Sequence, residues 1–167
     1  MSLSQTFLAE LQHEASNTKK ILERVPTDHF DWKPHEKSFS LGRLAAHVTE
    51  LPSWIDYTVN ADELDFATMN YTPPKVTSSS ELMQSFEDHI AKAKAVLQQD
   101  ITDEDLLKNW TLRSGDKVFM TMPKVTVLRS IVFNHIVHHR AQLGVYLRLL
   151  DIPVPGIYGP TADEPAM

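Results

Sequence analysis

The segment FNHIVHHRAQLGVYLRLL, residues 133–150, has the pattern of one apolar helix, yet it carries three histidines within five positions. At about 100° per residue, His139 lies about 40° from His135, and His138 lies about 60° to the other side. The apolar residues of this helix centre about 50° from His135, on the side of His139. His139 is therefore predicted to face the core, with His135 beside it and His138 at the edge. The pair at i, i+4 shares one helix face, where two imidazoles can reach one ion.

Inward-facing histidines on an apolar helix face are costly unless a hydrogen bond or a metal ion satisfies them. A single buried histidine is most often a hydrogen-bonded core residue, whereas a pair at i, i+4 makes metal ligation an equal alternative. A metal site needs a third ligand, and His47 in LGRLAAHVTEL (residues 41–51) is the best candidate. The alternative for His47 is a half-buried histidine at a seam between helices.

Other polar residues are weaker candidates. Glu50 follows His47 by three residues, and we expect a solvated helix-face glutamate there, with support of the site or a general base as alternatives. Gln142 lies on the same side as the histidine pair and could orient water or substrate, or cap the polar patch. Arg140 points elsewhere and is expected to pair with acids or a partner surface. The remaining histidines lie on polar helix faces or in a connector: His13, His89, His29 and His35.

Composition narrows the classes of function. The 167 residues, 42% hydrophobic and 23% charged, suit one domain spanning residues 1–167. A net charge of −6 argues against a general nucleic-acid surface. No cysteine is present, which excludes disulfides, thiolate zinc sites and cysteine nucleophiles, so any thiol must come from a cosubstrate. No long apolar run is found, so we expect no signal peptide, no membrane contact and a cytoplasmic protein.

Hydrophobic periodicity predicts an all-α fold. Ser40 is the expected N-cap of the second helix, Pro52 kinks or interrupts that helix, and Ser78 with Glu81 forms a capping box on the third. A short helical turn is expected at 102–105, and a small non-helical insert, a hairpin or extended loop, near 109–121. Four long helices joined by long connectors predict a four-helix bundle with crossover connections. The helices are expected at about 4–25, 40–55, 78–99 and 123–150.

Three segments together resemble the DinB-like family, also called the DinB/YfiT-like metalloproteins. They are LGRLAAHVTEL at 41–51, FNHIVHHRAQLGVYLRLLDIPVP at 133–155 and IYGPTADE at 157–164. The resemblance implies a four-helix bundle, a homodimer, and a metal held by His47, His135 and His139. It also implies damage-inducible expression in relatives, from which the family takes its name, and no DNA binding. The tail YGPTADE is expected to be structural.

A divalent ion on three histidines would keep open coordination positions. Zn²⁺ suits this ligand set, Ni²⁺ is a close alternative, and Fe²⁺ or Mn²⁺ would also fit. Since some members of the superfamily transfer low-molecular-weight thiols such as bacillithiol or mycothiol, the resemblance implies a thiol S-transferase acting on small electrophilic molecules. The alternatives are a metal-dependent hydrolase, and a non-catalytic metal-binding or sensor dimer.

Overall fold

The computed structural model describes residues 2–69 and 71–164, and 57% of the chain is helical. The long helices are α1 (Leu3–Leu22), α2 (Leu41–Glu50) and α4 (Ser79–Leu97), with the shorter α3 (Trp54–Asn60) and α5 (Asp103–Leu107) between and after them. A last helical run comprises α6 (Lys124–Val127), a π-helical segment (Leu128–Phe133) and α7 (Asn134–Leu149). None of the described helices is long and apolar enough to cross a bilayer.

Helix starts follow the side chains that cap them. The Ser40 hydroxyl accepts from the Arg43 N–H, as expected, and Ser2 with Gln5 forms a capping box, so α1 begins at Leu3, close to the predicted start. Of the two hydrogen bonds in the capping box predicted for α4, one is present and the other is replaced. The Ser78 hydroxyl accepts from the Glu81 N–H, but the Glu81 carboxylate binds the N–H and hydroxyl of Thr77, at 2.7 and 2.8 Å.

The predicted interruption at Pro52 is confirmed. Helix α2 ends at Glu50, a 3-10 turn spans Leu51–Ser53, and α3 continues from Trp54. Proline lacks an N–H and its ring crowds the preceding turn, so the chain tightens here and resumes as a second helix. Residues on both sides of this break line one cavity, described below.

The non-helical insert is a β-hairpin, as one of the two alternatives predicted. Strands β2 (Asn109–Ser114) and β3 (Lys117–Pro123) pair antiparallel, and Gly115 takes the positive φ of 56° that their turn requires. The sequence did not predict β1 (Glu63–Asp65), which pairs parallel to β2 and completes a three-stranded sheet in the order β1-β2-β3. Trp110 is fully buried behind this sheet, and its Nε1 donates to the Tyr57 carbonyl at 3.0 Å.

The main core lies between the long helices. Helix α1 packs against α4 and α7, and α2 packs against the same two helices. The centre of this core is aliphatic and fully buried, with Leu11, Leu22, Leu44, Leu82 and Leu143 among its members. The contact of α2 with α7 brings the predicted ligands together.

A buried ion pair ties α7 to α1. Arg140 is 3% exposed, and its guanidinium contacts the Glu14 carboxylate at 2.6 Å, the Thr18 hydroxyl at 3.1 Å and the Tyr158 hydroxyl. The expected pairing of Arg140 with an acid is thereby confirmed within the chain. Because Tyr158 belongs to the C-terminal tail, this cluster also holds the tail against the helices.

The C-terminal tail is anchored by two further carboxylates. Asp163 pairs with Arg148 and accepts from the Val154 N–H at 2.8 Å, while Glu164 pairs with Arg24 at 3.1 Å. The Arg148 guanidinium and the Val154 N–H hold the pKa of Asp163 below its ordinary value. These contacts support the structural role expected of YGPTADE.

We predict that Arg140→Ala destabilises the protein by roughly 3–5 kcal/mol, because it leaves the Glu14 carboxylate buried without its partner. Urea unfolding followed by circular dichroism measures the change. Arg24→Ala is the matched control, since both side chains of its ion pair are more than 40% exposed, and it should cost only about 0–1 kcal/mol. Equal losses in the two variants would contradict the assigned role of Arg140.

Asp163 predicts a pH-dependent contribution to stability. A carboxyl whose folded pKa is lowered stabilises the fold above its unfolded pKa and loses that contribution as pH falls through the folded pKa. We therefore expect Asp163→Asn to lower the melting temperature at pH 7, and this deficit to shrink as the pH falls below the ordinary aspartate pKa of 3.8 and through the lowered pKa of folded Asp163. Melting temperatures across pH test this, with the exposed Asp100→Asn as control. A deficit that persists unchanged in acid would contradict the prediction.

Candidate metal centre

Three histidines from two helices meet at the contact between α2 and α7. Each of His47, His135 and His139 offers one ligand atom to a set in which all the atoms lie within 4.8 Å of one another. The Nε2 atoms of His47 and His135 are 3.5 Å apart. The ring centroid of His47 lies 5.1 Å from that of His135 and 4.8 Å from that of His139. The cluster approaches the dimensions of a three-histidine metal site, in which two nitrogens about 2.1 Å from one ion are at most about 4.2 Å apart.

Each ring is oriented by an acceptor at its other nitrogen. His47 Nδ1 donates to the Glu50 carboxylate at 2.5 Å, and His139 Nδ1 donates to the Gln142 side-chain oxygen at 2.6 Å. His135 Nδ1 donates to the Ile131 carbonyl at 3.2 Å. An acceptor at Nδ1 fixes the proton there and leaves the Nε2 lone pair for a ligand, which is the arrangement that metal-binding histidines use. The residues present therefore fit a divalent ion.

Glu50 corrects one expectation from the sequence. It was predicted to be a solvated helix-face residue, yet it is 8% exposed and contacts His47. The Tyr71 hydroxyl reaches both Glu50 oxygens, at 2.9 and 3.0 Å. Tyr71 lies in the connector before α4, too far along the chain for periodicity to place it near α2. With its oxygens engaged, the Glu50 carboxylate orients His47, as Gln142 orients His139.

The π-helical segment explains why His139 does not face the core as its angular position along the helix predicted. His139 was expected to face the core, but both His135 and His139 are half-buried and flank the buried face of α7. The Asn134 N–H bonds to the Arg129 carbonyl, five residues back, so the turn before α7 is wider than an α-turn. Residues upstream of this turn cannot be projected onto α7 at 100° per residue. The buried face consists of Ile136, Arg140, Leu143 and Leu147.

Burial keeps His135 and His139 neutral. Desolvation, with smaller effects from His139 and His47, lowers the pKa of His135 to about 4. Burial also lowers the pKa of His139. Both rings are therefore unprotonated at neutral pH and can offer lone pairs. His138 is exposed at the edge, as predicted, with its ring centroid 4.8 Å from that of His139.

A cavity of about 400 Å³ adjoins the histidines on the α2 side. His47 and Glu50 lie at one end, and its walls include Trp54, Phe66 and His89. The sequence assigned His89 to a polar helix face and gave no sign that α4 turns it toward this cavity. A second cavity, of about 450 Å³, lies on the α7 side, beside His135 and His138. The cluster is therefore reachable from its surroundings.

The DinB family model matches residues 1–166 of this chain. The chain belongs to the DinB family. The relatives YrdA and YjoA of Bacillus subtilis strain 168, both uncharacterized, are 28% and 24% identical to it. The alignment with YrdA covers 95% of this chain and 89% of YrdA, and the alignment with YjoA covers 89% and 91%.

Two solved structures share the fold. A DinB-like protein from Bacillus cereus ATCC 10987 has a TM-score of 0.69 at 27% identity, covering 92% of this chain and 97% of that protein. The structure of the DinB-like protein YjoA from Bacillus subtilis has a TM-score of 0.71 at 18% identity, covering 91% and 97%. The fold and the family are thereby established, while ligation by the three histidines stays a prediction.

We predict that Glu50→Gln weakens metal affinity by about 10- to 100-fold, because the amide is a poorer acceptor for His47 Nδ1 and makes that imidazole less basic. Competition with a chromophoric chelator measures the affinity of each purified variant for Zn²⁺. His138→Ala is the matched control, since it removes a histidine from the same helix without removing a ligand. An unchanged affinity in Glu50→Gln, or an equal loss in His138→Ala, would contradict the role of Glu50 as the acceptor that orients His47.

Proposed function

We propose that this protein binds one divalent ion through His47, His135 and His139 and is a metal-dependent enzyme of the thiol S-transferase type. The ion is Zn²⁺ or Ni²⁺ in this proposal, with Fe²⁺ or Mn²⁺ as alternatives. The observation that carries the proposal is the convergence of three ligand nitrogens whose rings are each held by an acceptor on the opposite side.

The same observation argues against three hydrogen-bonded core histidines. Since each Nδ1 is paired with an acceptor, Glu50, Ile131 or Gln142, a neutral ring at each position presents Nε2 as an acceptor, and the Nε2 atoms of His47 and His135 lie 3.5 Å apart. Lone pairs brought together in a partly dehydrated site repel unless a positive species lies between them. A cation supplies the missing partner for all three at once.

A bound divalent ion supplies a Lewis-acidic open position that lowers the pKa of a thiol or water there. The protein provides the rest of the site. His47, His135 and His139 leave the charge of the ion uncompensated, and the adjoining cavity offers space for a second reactant. Since the chain has no cysteine, the thiol must be a small cosubstrate.

The alternatives receive less support from the contacts. Hydrolysis would need a free general base, but the Glu50 oxygens are occupied by His47 and Tyr71, and Gln142 is held by His139. A purely structural site would be closed by four protein ligands, whereas the described residues offer three. A cavity beside the cluster fits reaction or ligand binding better than a closed clamp.

The proposal includes the family architecture. The four long helical segments would form a four-helix bundle with long crossover connections, and two copies would form a homodimer in the cytoplasm. Val145 and Leu149, which expose apolar side chains on the outer face of α7, would suit such a contact. Small molecules, and neither nucleic acids nor membranes, are the proposed partners.

The proposed activity is tested with bacillithiol or mycothiol and 1-chloro-2,4-dinitrobenzene as electrophile. We expect thiol transfer above the uncatalysed rate, its loss on chelation, and its return with Zn²⁺ or Ni²⁺. His139→Ala should lower the rate at least about tenfold, while His138→Ala retains it.

Activity that survives complete metal removal would contradict the proposal. Turnover of an ester without any thiol would identify the hydrolase alternative instead. Stoichiometric metal binding with no turnover of either kind would favour the binding or sensor protein.

A further inference from the structure

The cavity beside His47 has a lining that selects by shape and polarity. Its volume of about 400 Å³ is within the usual range for small-molecule sites. It begins at His47 and Glu50 and extends along α3 to the segment that follows β1. A molecule bound there would therefore lie beside His47, whereas the cavity near His135 is separate.

Aromatic side chains form much of the cavity wall. Trp54 and Tyr57 are one turn apart on α3, and Phe66 faces Trp54 with ring centroids 6.3 Å apart and planes at 67°. Aromatic rings favour edge-to-face and offset partners at such separations, and they gain apolar burial as well. Phe66 is 39% exposed, so part of this aromatic surface has room for a further ring.

One polar group on the wall lacks a partner. His89 on α4 lines the cavity, and its Nδ1 is buried without a hydrogen bond to any part of the chain that the structure describes. Since that nitrogen is closed off from the cavity, a polar substituent on a bound molecule would hydrogen-bond to the part of the imidazole that lines the wall. Ser53 adds a hydroxyl on the same wall.

Few charged groups line the cavity away from the proposed ion. Among the described lining residues, Glu50 is the sole carboxylate, and its oxygens are hydrogen-bonded to His47 and Tyr71. No lysine or arginine lines the described wall, so an ionised substrate group placed along the aromatic wall would be desolvated without a counter-charge. The lining therefore fits an uncharged molecule.

We infer that the electrophilic substrate is a small uncharged aromatic compound, with its ring against Trp54, Tyr57 and Phe66 and one polar substituent toward His89. This inference rests on the proposed function and names the substrate class of the same site. It depends on the aromatic wall, so it can fail while metal binding holds.

Two hydroxamates that chelate metal through the same group isolate the contribution of the ring. Calorimetric titration of Zn²⁺-loaded protein should give benzohydroxamate at least roughly tenfold tighter binding than acetohydroxamate, since ring burial adds aromatic contacts. Phe66→Ala and Trp54→Leu should each reduce that ratio by about threefold or more without changing the metal content. Phe39→Ala is the matched control, because Phe39 is an exposed phenylalanine beside His47 that does not line the cavity.

A ratio that is the same in wild type, Phe66→Ala and Trp54→Leu, with metal bound, would overturn the inference and leave the proposed function standing. A protein that binds no Zn²⁺ would instead overturn the proposed function. The ring site is then tested on metal-free protein by saturation-transfer NMR with benzyl alcohol. Stronger transfer to the ring protons from wild type than from Phe66→Ala supports the inference, and equal transfer overturns it.

Discussion

The mutual approach of three imidazoles is the constraint on which the rest of the site depends. Their Nε2 atoms converge because each Nδ1 is committed to an acceptor on the far side of the ring. Those acceptors differ in kind: a carboxylate from α2, a side-chain amide from α7 and a backbone carbonyl from the π-helical segment. The ring orientations are thus fixed by local hydrogen bonds, while the packing of α2 against α7 sets the distance between helices.

Departures from regular helix geometry surround this cluster. The π-helical segment supplies the Ile131 carbonyl to His135 and turns α7 so that its histidines flank the core. The break at Pro52 begins α3, which carries the aromatic wall of the cavity. Buried Arg140 then fixes α7 against α1 and the tail. Irregular backbone of this kind is frequent at functional sites, where regular helices would leave ligands misdirected.

The sequence predicted the features that depend on short-range patterns. Periodicity and capping residues identified the long helices, the hairpin near 109–121 and the division of His135 and His139 from His138. The third ligand was proposed from the position of His47 and from a family resemblance that the family match confirms. The helix assignments and the division of the α7 histidines share a cause, because spacing along a helix determines which side chains lie on one face.

Contacts between distant segments could not be predicted in the same way. Strand β1 is three residues long and pairs with residues almost fifty positions later, and Tyr71 reaches Glu50 from an irregular connector. Glu50 looked solvated because its burial comes from that connector rather than from its own helix. His89 looked polar because the cavity it lines is closed by segments remote from α4. Long-range packing decided each of these outcomes, and periodicity carries no information on it.

X-ray absorption spectroscopy at the metal edge of the reconstituted protein tests the central claim most directly. If the three histidines hold a Zn²⁺ ion, we expect one ion per chain, with three imidazole nitrogens at about 2.0–2.1 Å and one oxygen ligand. The imidazole contribution should fall by one third or vanish in His47→Ala. A reconstituted wild-type protein that retains no ion, or an ion whose spectrum lacks imidazole ligands, would contradict metal binding by His47, His135 and His139.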